Sequence, residues 1–206
     1  MILKWLSEHY IELFGAVSGI IYVFLEIKQI IWLWPLGIAT SALYIVVFFT
    51  TRFYADMSLQ VYYLAISVMG WYWWIKGTRR TTKDAGKKEG EKGGKEDVKL
   101  KVTRLKLKTG LILGAVFILL YFLMWFVLSN YTDSPVPKWD SFLTSLSIIA
   151  TWMLARKIFE HWYLWIVVDS VSTAVFCIKG LYPTVVLYAV YCAMSFAGLR
   201  EWRKSL

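Results

Sequence analysis

Asp169 offers the clearest chemistry in this sequence. It lies in the middle of Trp162–Ile178, a run with no other charge. A carboxylate inside a membrane helix costs roughly 2.5–3.5 kcal/mol on insertion scales, which marks it as a site residue by default. Trp162, Trp165, Asp169, Ser172 and Phe176 recur at steps of three and four, so they share one helical stripe. An acid in line with two indoles can act as counter-charge or hydrogen-bond acceptor for a ligand that is cationic or carries an amide. The indole faces stack on planar heterocycles and attract cations, at about 0.5–2 kcal/mol per contact. Plainer roles compete: Asp169 as an acceptor for the hydroxyls of Ser170 or Thr173, and the two tryptophans as an aromatic belt at the membrane surface. Comparable stripes are Gln60, Tyr63, Ser67, Gly70, Trp74, then Tyr188, Tyr191, Ser195, Gly198, Trp202, and the shorter Trp34, Ser41, Tyr44. Gln60 can read an amide or hydroxyl, whereas the serines and glycines suit close helix packing. The binding set read from these stripes is Trp162, Trp165, Asp169, Gln60, Tyr63, Trp34, Ser172, Tyr188 and Tyr191.

Membrane helices must position those residues. The 206-residue chain is 58% hydrophobic and 18% charged, with mean hydropathy +0.53. Its charge is concentrated in Lys76–Lys108, which holds 13 Lys/Arg and 5 Asp/Glu. The remainder is too poor in charge for a water-soluble surface, which excludes a soluble enzyme and a nucleic-acid-binding domain, although the net charge is +9. Spanning helices need about 20 mostly apolar residues. Seven segments approach that: Tyr10–Ile27, Ile30–Thr51, Met57–Ile75, Thr109–Tyr131, Ser141–Ala155, Trp162–Ile178 and Gly180–Leu199. The chain therefore reads as an all-α integral membrane protein. Pro35 and Pro183 fall in first helical turns, where proline is tolerated. The N-terminal residues lack a basic start and a small-residue cleavage site, so no removable signal peptide is expected.

Basic residues orient the bundle. Nineteen Lys/Arg fall on the side of the long loop and four on the other, which predicts an outside N-terminus and a cytoplasmic C-terminus. The centre of the loop, GKKEGEKGGKED, is disordered by composition. Its end, Val98–Lys108, alternates basic with apolar residues and is expected to lie on the anionic inner leaflet.

An internal repeat organises the helices. Laid over Leu181–Trp202, the segment Phe53–Trp74 shows seven identities, among them Tyr63/Tyr191, Ser67/Ser195, Gly70/Gly198 and Trp74/Trp202. Upstream, a slightly larger shift pairs Trp34 with Trp165 and Ser41 with Ser172, implying a difference of three in loop length. The expected organisation is residues 1–75 as a first three-helix repeat, 76–108 as a basic cytoplasmic loop, 109–131 as a linker helix, and 132–206 as the second repeat. Two odd-numbered units joined by one helix run parallel, the 3+1+3 plan of SWEET-like transporters, with substrate held near the midplane between units.

Missing motifs narrow the function. There is no phosphate-binding G-x-x-x-x-G-K-[ST], so ATP drive within this chain is not expected. His9 and His161 are far apart and near membrane edges, and Cys177 and Cys192 sit in apolar runs, so neither metal site, cofactor nor disulfide is expected. Asp169 is read as the lone deep acid, which suits neither a proton relay nor an intramembrane enzyme. A substrate-capturing subunit of a larger transporter is the remaining rival to a self-sufficient carrier.

The pieces WPLGI, FYADMSLQ and GWYWW in Trp34–Trp74, with WYLWIVVDS and KGLY in the second half, resemble the nicotinamide riboside transporter family, the PnuC-like proteins. The resemblance covers most of the chain outside Lys76–Lys108. It implies a trimeric SWEET-like protein of the bacterial inner membrane. It also implies uptake of an unphosphorylated vitamin by facilitated diffusion, with cytoplasmic phosphorylation trapping the product. A W-x-x-W pattern and amide side chains line the cavity in that family; Trp162, Trp165 and, more loosely, Gln60 match here. Asp169 departs from the neutral amide expected near its position in nicotinamide riboside carriers. Branches of the family look like thiamine and riboflavin carriers, and an acid suits thiamine as well as nicotinamide riboside, since both are planar cations.

Overall fold

The computed structural model describes residues 10–50, 54–85, 100–132 and 134–206. Seven helices lie among them: α1 Tyr10–Ile27, α2 Leu33–Thr50, α3 Tyr54–Ala85, α4 Leu107–Tyr131, α5 Pro137–Ala155, α6 His161–Ile178 and α7 Tyr182–Arg203. Of these, α2, α4, α6 and α7 are long and apolar enough to cross a membrane by length and composition alone. In α1 the apolar stretch among the described side chains is Phe14–Ile27. The helix α3 continues past Ile75 through a basic stretch to Ala85, so the start of the segment assigned to the loop is helical. In α5 the serines Ser141, Ser145 and Ser147 and Thr151 are buried, because α4, α3 and α6 pack around it and shield it from lipid.

The principal packing contacts run α1–α2, α2–α3, α3–α5, α5–α6, α6–α7 and α7–α1, which closes six helices into a ring. Helix α4 packs on α5 from outside and buries none of its own residues. Leu113 and Phe117 of α4 meet the Ile149–Met153–Ile158 cluster, and Phe117 meets Phe142 edge-on at 5.7 Å. An all-round apolar helix with one packed stripe faces lipid elsewhere.

Helix ends recur at a constant spacing. Ile27 and Ala155, Leu33 and His161, Thr50 and Ile178, Tyr54 and Tyr182 are each separated by the 128 positions that also separate Gln29 from Lys157. The turns recur too. Gln29 and Lys157 both adopt positive φ, 54° and 51°. Each closes its helix by the same bond pair, Gln29 N–H to Glu26 and Ile30 N–H to Leu25, then Lys157 N–H to Leu154 and Ile158 N–H to Met153. This is the Schellman closure, in a left-handed conformation usually given to glycine. The larger shift expected between α2 and α6 is thereby corrected: Trp34 corresponds to Trp162 and Ser41 to Asp169, with no difference in loop length between them. The two left-handed residues also meet, Lys157 Nζ donating to Gln29 Oε1 at 3.2 Å.

Two glycines set the approach of the paired helices. A Cβ at Gly70 would overlap the six-membered ring of Trp34, and one at Gly198 would overlap that of Trp162 in the same manner. Each tryptophan then meets the next indole edge-on, Trp34–Trp74 at 5.4 Å and Trp162–Trp202 at 5.8 Å. Small residues permit such close contact between membrane helices.

The segment before α4 packs on the protein. Thr103 bridges Ile158 in parallel, its N–H donating to the Lys157 carbonyl at 3.0 Å and its carbonyl accepting from Phe159 N–H at 2.9 Å. Leu105 N–H donates to the Glu160 carboxylate at 2.8 Å. Val102 is buried and Leu100 packs on the core, while Lys101, Arg104 and Lys106 are exposed. Protein covers Val102 and part of Leu100 and Leu105, while Leu107 and the basic residues face outward. The GKKEGEKGGKED stretch lies outside the described residues.

Candidate functional site

The ring encloses a cavity of about 330 Å³, lined mainly by apolar surface. That is near the lower end of the roughly 300–1,000 Å³ found for small-molecule sites. All six ring helices contribute and α4 contributes none. Eight lining pairs stand at the repeat spacing: Gly19/Ser147, Val23/Thr151, Gly37/Trp165, Thr40/Val168, Ser41/Asp169, Gln60/Tyr188, Tyr63/Tyr191 and Ser67/Ser195. The chamber is thus built from matching positions whose chemistry has diverged. Gly37 is the counterpart of Trp165, and Ser41 that of Asp169.

Seven of the nine residues read from the stripes line this space: Trp162, Trp165, Asp169, Gln60, Tyr63, Tyr188 and Tyr191. Trp34 and Ser172 do not. Trp34 is fully buried between Gly70 and Trp74, and Ser172 is buried on α6 outside the lining. Both sit on the correct helices, but the cavity cuts the stripe one turn short of Ser172 and meets α2 beyond Trp34.

Asp169 is 5% exposed. Its Oδ2 accepts a hydrogen bond from Ser195 Oγ of α7 at 2.9 Å. The hydroxyls named as its local partners are engaged elsewhere, Thr173 donating to the Asp169 backbone carbonyl and Ser170 lying 3.4 Å from the Cys192 sulfur. Among the described residues no ion pair reaches Asp169. Among the described residues neither Lys nor Arg appears in the cavity wall. The indole N–H groups of Trp162 and Trp165 are buried and have no hydrogen-bond partner among the described residues. Carboxylates, indoles and the tyrosines Tyr22, Tyr63, Tyr188 and Tyr191 thus face one space.

Glu26 is a residue that the sequence stripes do not single out. It sits near the end of a weakly apolar span, yet it is 2% exposed and lines the cavity. Asp169 is therefore not the lone buried acid. His161, expected at a membrane edge, is fully buried, with Nε2 3.1 Å from Glu26 Oε1 and Nδ1 2.7 Å from the Ile158 carbonyl. Gly15, Ser18, Gly19, Tyr22, Val23 and Glu26 all line the chamber from α1 at steps of three and four. The stripe test applied to α6 would have found them. Two glycines in this row admit tyrosines: the hydroxyl of Tyr44 lies against Gly15 and that of Tyr191 against Gly19. Among the described residues no cluster of His, Cys, Asp and Glu could hold a metal ion.

Similarity to known proteins runs along the whole ring. A family model described as nicotinamide mononucleotide transporter matches residues 9–204. The nicotinamide riboside transporter PnuC of Escherichia coli (strain K12) is 25% identical over 220 residues, covering 95% of this chain and 86% of that protein. The riboflavin/roseoflavin transporter RibM of Streptomyces davaonensis is 24% identical, covering 93% of this chain and 83% of its own. Among solved structures, one described as the crystal structure of the vitamin B3 transporter PnuC superposes with a TM-score of 0.69 at 22% identity, over 98% of this chain and 84% of that one. At that identity the likeness establishes the fold.

Proposed function

Because this chain belongs to the nicotinamide mononucleotide transporter family, and is thus a multi-pass membrane transporter, we propose that it takes up an unphosphorylated cationic vitamin, nicotinamide riboside first, by facilitated diffusion. The observation that carries this reading is the chamber wall, which is aromatic and, among the described residues, holds Asp169 without a cationic partner and includes no lysine or arginine. A phosphate dianion would meet two carboxylates there and no counter-charge, which supports the nucleoside over the nucleotide. A planar cation gains at each point, from the indole faces and from the acid. Relatives named for nicotinamide riboside support the first choice. Thiamine is the second reading, favoured by Asp169 itself, whose carboxylate suits an aminopyrimidine and a thiazolium. The proposed binding set is Trp162, Trp165, Asp169, Gln60, Tyr63, Tyr188 and Tyr191, with Trp34 and Ser172 supporting them from behind.

The 3+1+3 plan is part of the proposal. It is supported by the constant repeat spacing across helices and turns and by the position of α4 outside the ring. Transport then follows from rocking of α1–α3 against α5–α7 about the chamber. The excess of basic residues at the Arg156, Arg200 and Arg203 end supports a cytoplasmic C-terminus in a bacterial inner membrane. A homotrimer is carried from the family resemblance, and a substrate-capturing subunit of a larger assembly is the rival that a flux measurement removes.

The test is uptake by the purified chain in proteoliposomes. An inside-negative potential favours entry of one positive charge by about 2.3 kcal/mol per 100 mV, roughly fiftyfold at equilibrium. Imposing that potential with no ATP and no ion gradient other than potassium is expected to drive accumulation of nicotinamide riboside or thiamine, and collapsing it should release the excess. An absolute requirement for ATP or a proton gradient would overturn facilitated diffusion. Binding with no flux would transfer the protein to the capturing-subunit reading.

A further inference from the structure

Glu26 is outside the binding set proposed above, yet its placement is unusual. It lies in the last turn of α1 and reaches His161 in the first turn of α6, so the pair ties the two three-helix units together at one end of the chamber. Nδ1 of His161 faces the Ile158 carbonyl and Nε2 faces the Glu26 carboxyl group. The rings of Trp162 and Trp202 flank His161 at 4.7 and 4.6 Å, and Trp202 Nε1 donates to the Glu26 carbonyl at 3.0 Å. Of these, Glu26 and Trp162 line the cavity and form its floor, with His161 and Trp202 packed behind them.

The repeat supplies an internal control. The positions corresponding to Glu26 and His161 are Leu154 and Leu33, both buried in the main core. Leucines close that sister junction, so packing at this place in the fold requires neither an acid nor an imidazole. Burying a polar pair carries a desolvation cost that leucines avoid. The polar pair stands at the junction whose acid opens on the chamber, whereas neither leucine lines it.

Extending the cation reading of the chamber, we infer that Glu26 is a second cation-binding carboxylate on the transport path, occupied by a ligand that has left Asp169 and displaces His161. His161 and Asp169 stand just over two turns apart on α6, about 12 Å along the axis at about 1.5 Å per residue, and Trp162 and Trp165 lie between them. A planar cation moves from one carboxylate across two indole faces to the next without crossing uncompensated apolar wall. When it takes the Glu26 carboxylate, His161 loses its acceptor, the tie between α1 and α6 breaks, and the floor can part.

The experiment uses the full chain, with thiamine and nicotinamide riboside as probes. Glu26→Gln is expected to lower inward flux in proteoliposomes at least tenfold, with a clearly smaller rise in equilibrium Kd. The double variant Glu26→Leu/His161→Leu copies the sister junction and removes both polar groups together; it should melt no lower than wild type and show the same loss of flux. Wild-type flux in either variant, or a proportional loss of binding and flux in Glu26→Gln, overturns the inference. A wild-type protein that carries neither probe overturns the cation reading as well, and is told apart because the failure precedes any substitution.

Discussion

Asp169→Asn is expected to weaken binding of nicotinamide riboside and thiamine by ten- to a hundredfold, while binding of neutral riboflavin changes less than threefold. The magnitude follows from the loss of a charge-assisted interaction in a site shielded from water, about 1.5–3 kcal/mol. The substitution is close to isosteric, and the asparagine carbonyl oxygen can still accept the Ser195 hydroxyl that now lies 2.9 Å from Oδ2. The α6–α7 contact should therefore survive, and thermal unfolding should move little. Isothermal titration of the purified protein with the three vitamins reads the result. Equal weakening for charged and neutral ligands would remove the counter-charge role and leave Asp169 as a structural acceptor.

The second large effect separates the two equivalent glycines. Gly70→Ala and Gly198→Ala place a Cβ against rings that are fully buried, Trp34 and Trp162. Overpacking of this kind costs about 1–3 kcal/mol, and both variants should unfold at lower temperature. Their effects on binding should differ, because Trp162 lines the chamber and Trp34 does not. Gly198→Ala is expected to weaken vitamin binding at least tenfold by pushing Trp162 off the wall, whereas Gly70→Ala should leave Kd within about threefold. Adding Trp162→Phe to Gly198→Ala removes the overlapping ring and should recover melting temperature without recovering affinity. Matching losses of affinity in the two glycine variants would show that Trp162 serves packing alone.

The linear sequence determined the class of molecule and its helices. Apolar runs near bilayer length leave the backbone no solution but helix, and the excess of lysine and arginine in one segment excludes that segment from the membrane. The matched pairs Tyr63/Tyr191, Ser67/Ser195 and Gly70/Gly198 were legible because equivalent packing positions retain size and polarity. Asp169 and the two tryptophans stood out since charge is rare inside an apolar run. Tertiary structure decided which polar residues share one chamber. Glu26 and His161 are distant in the chain and each sits near a helix end, where charge is ordinary; only their meeting makes them a buried pair. The register of α2 against α6 was likewise hidden, for tryptophans recur at a step of three in α6 and a local match falls on Trp165 as readily as on Trp162. The left-handed turns at Gln29 and Lys157 resolve it, because a backbone conformation repeats even where the side chains have diverged.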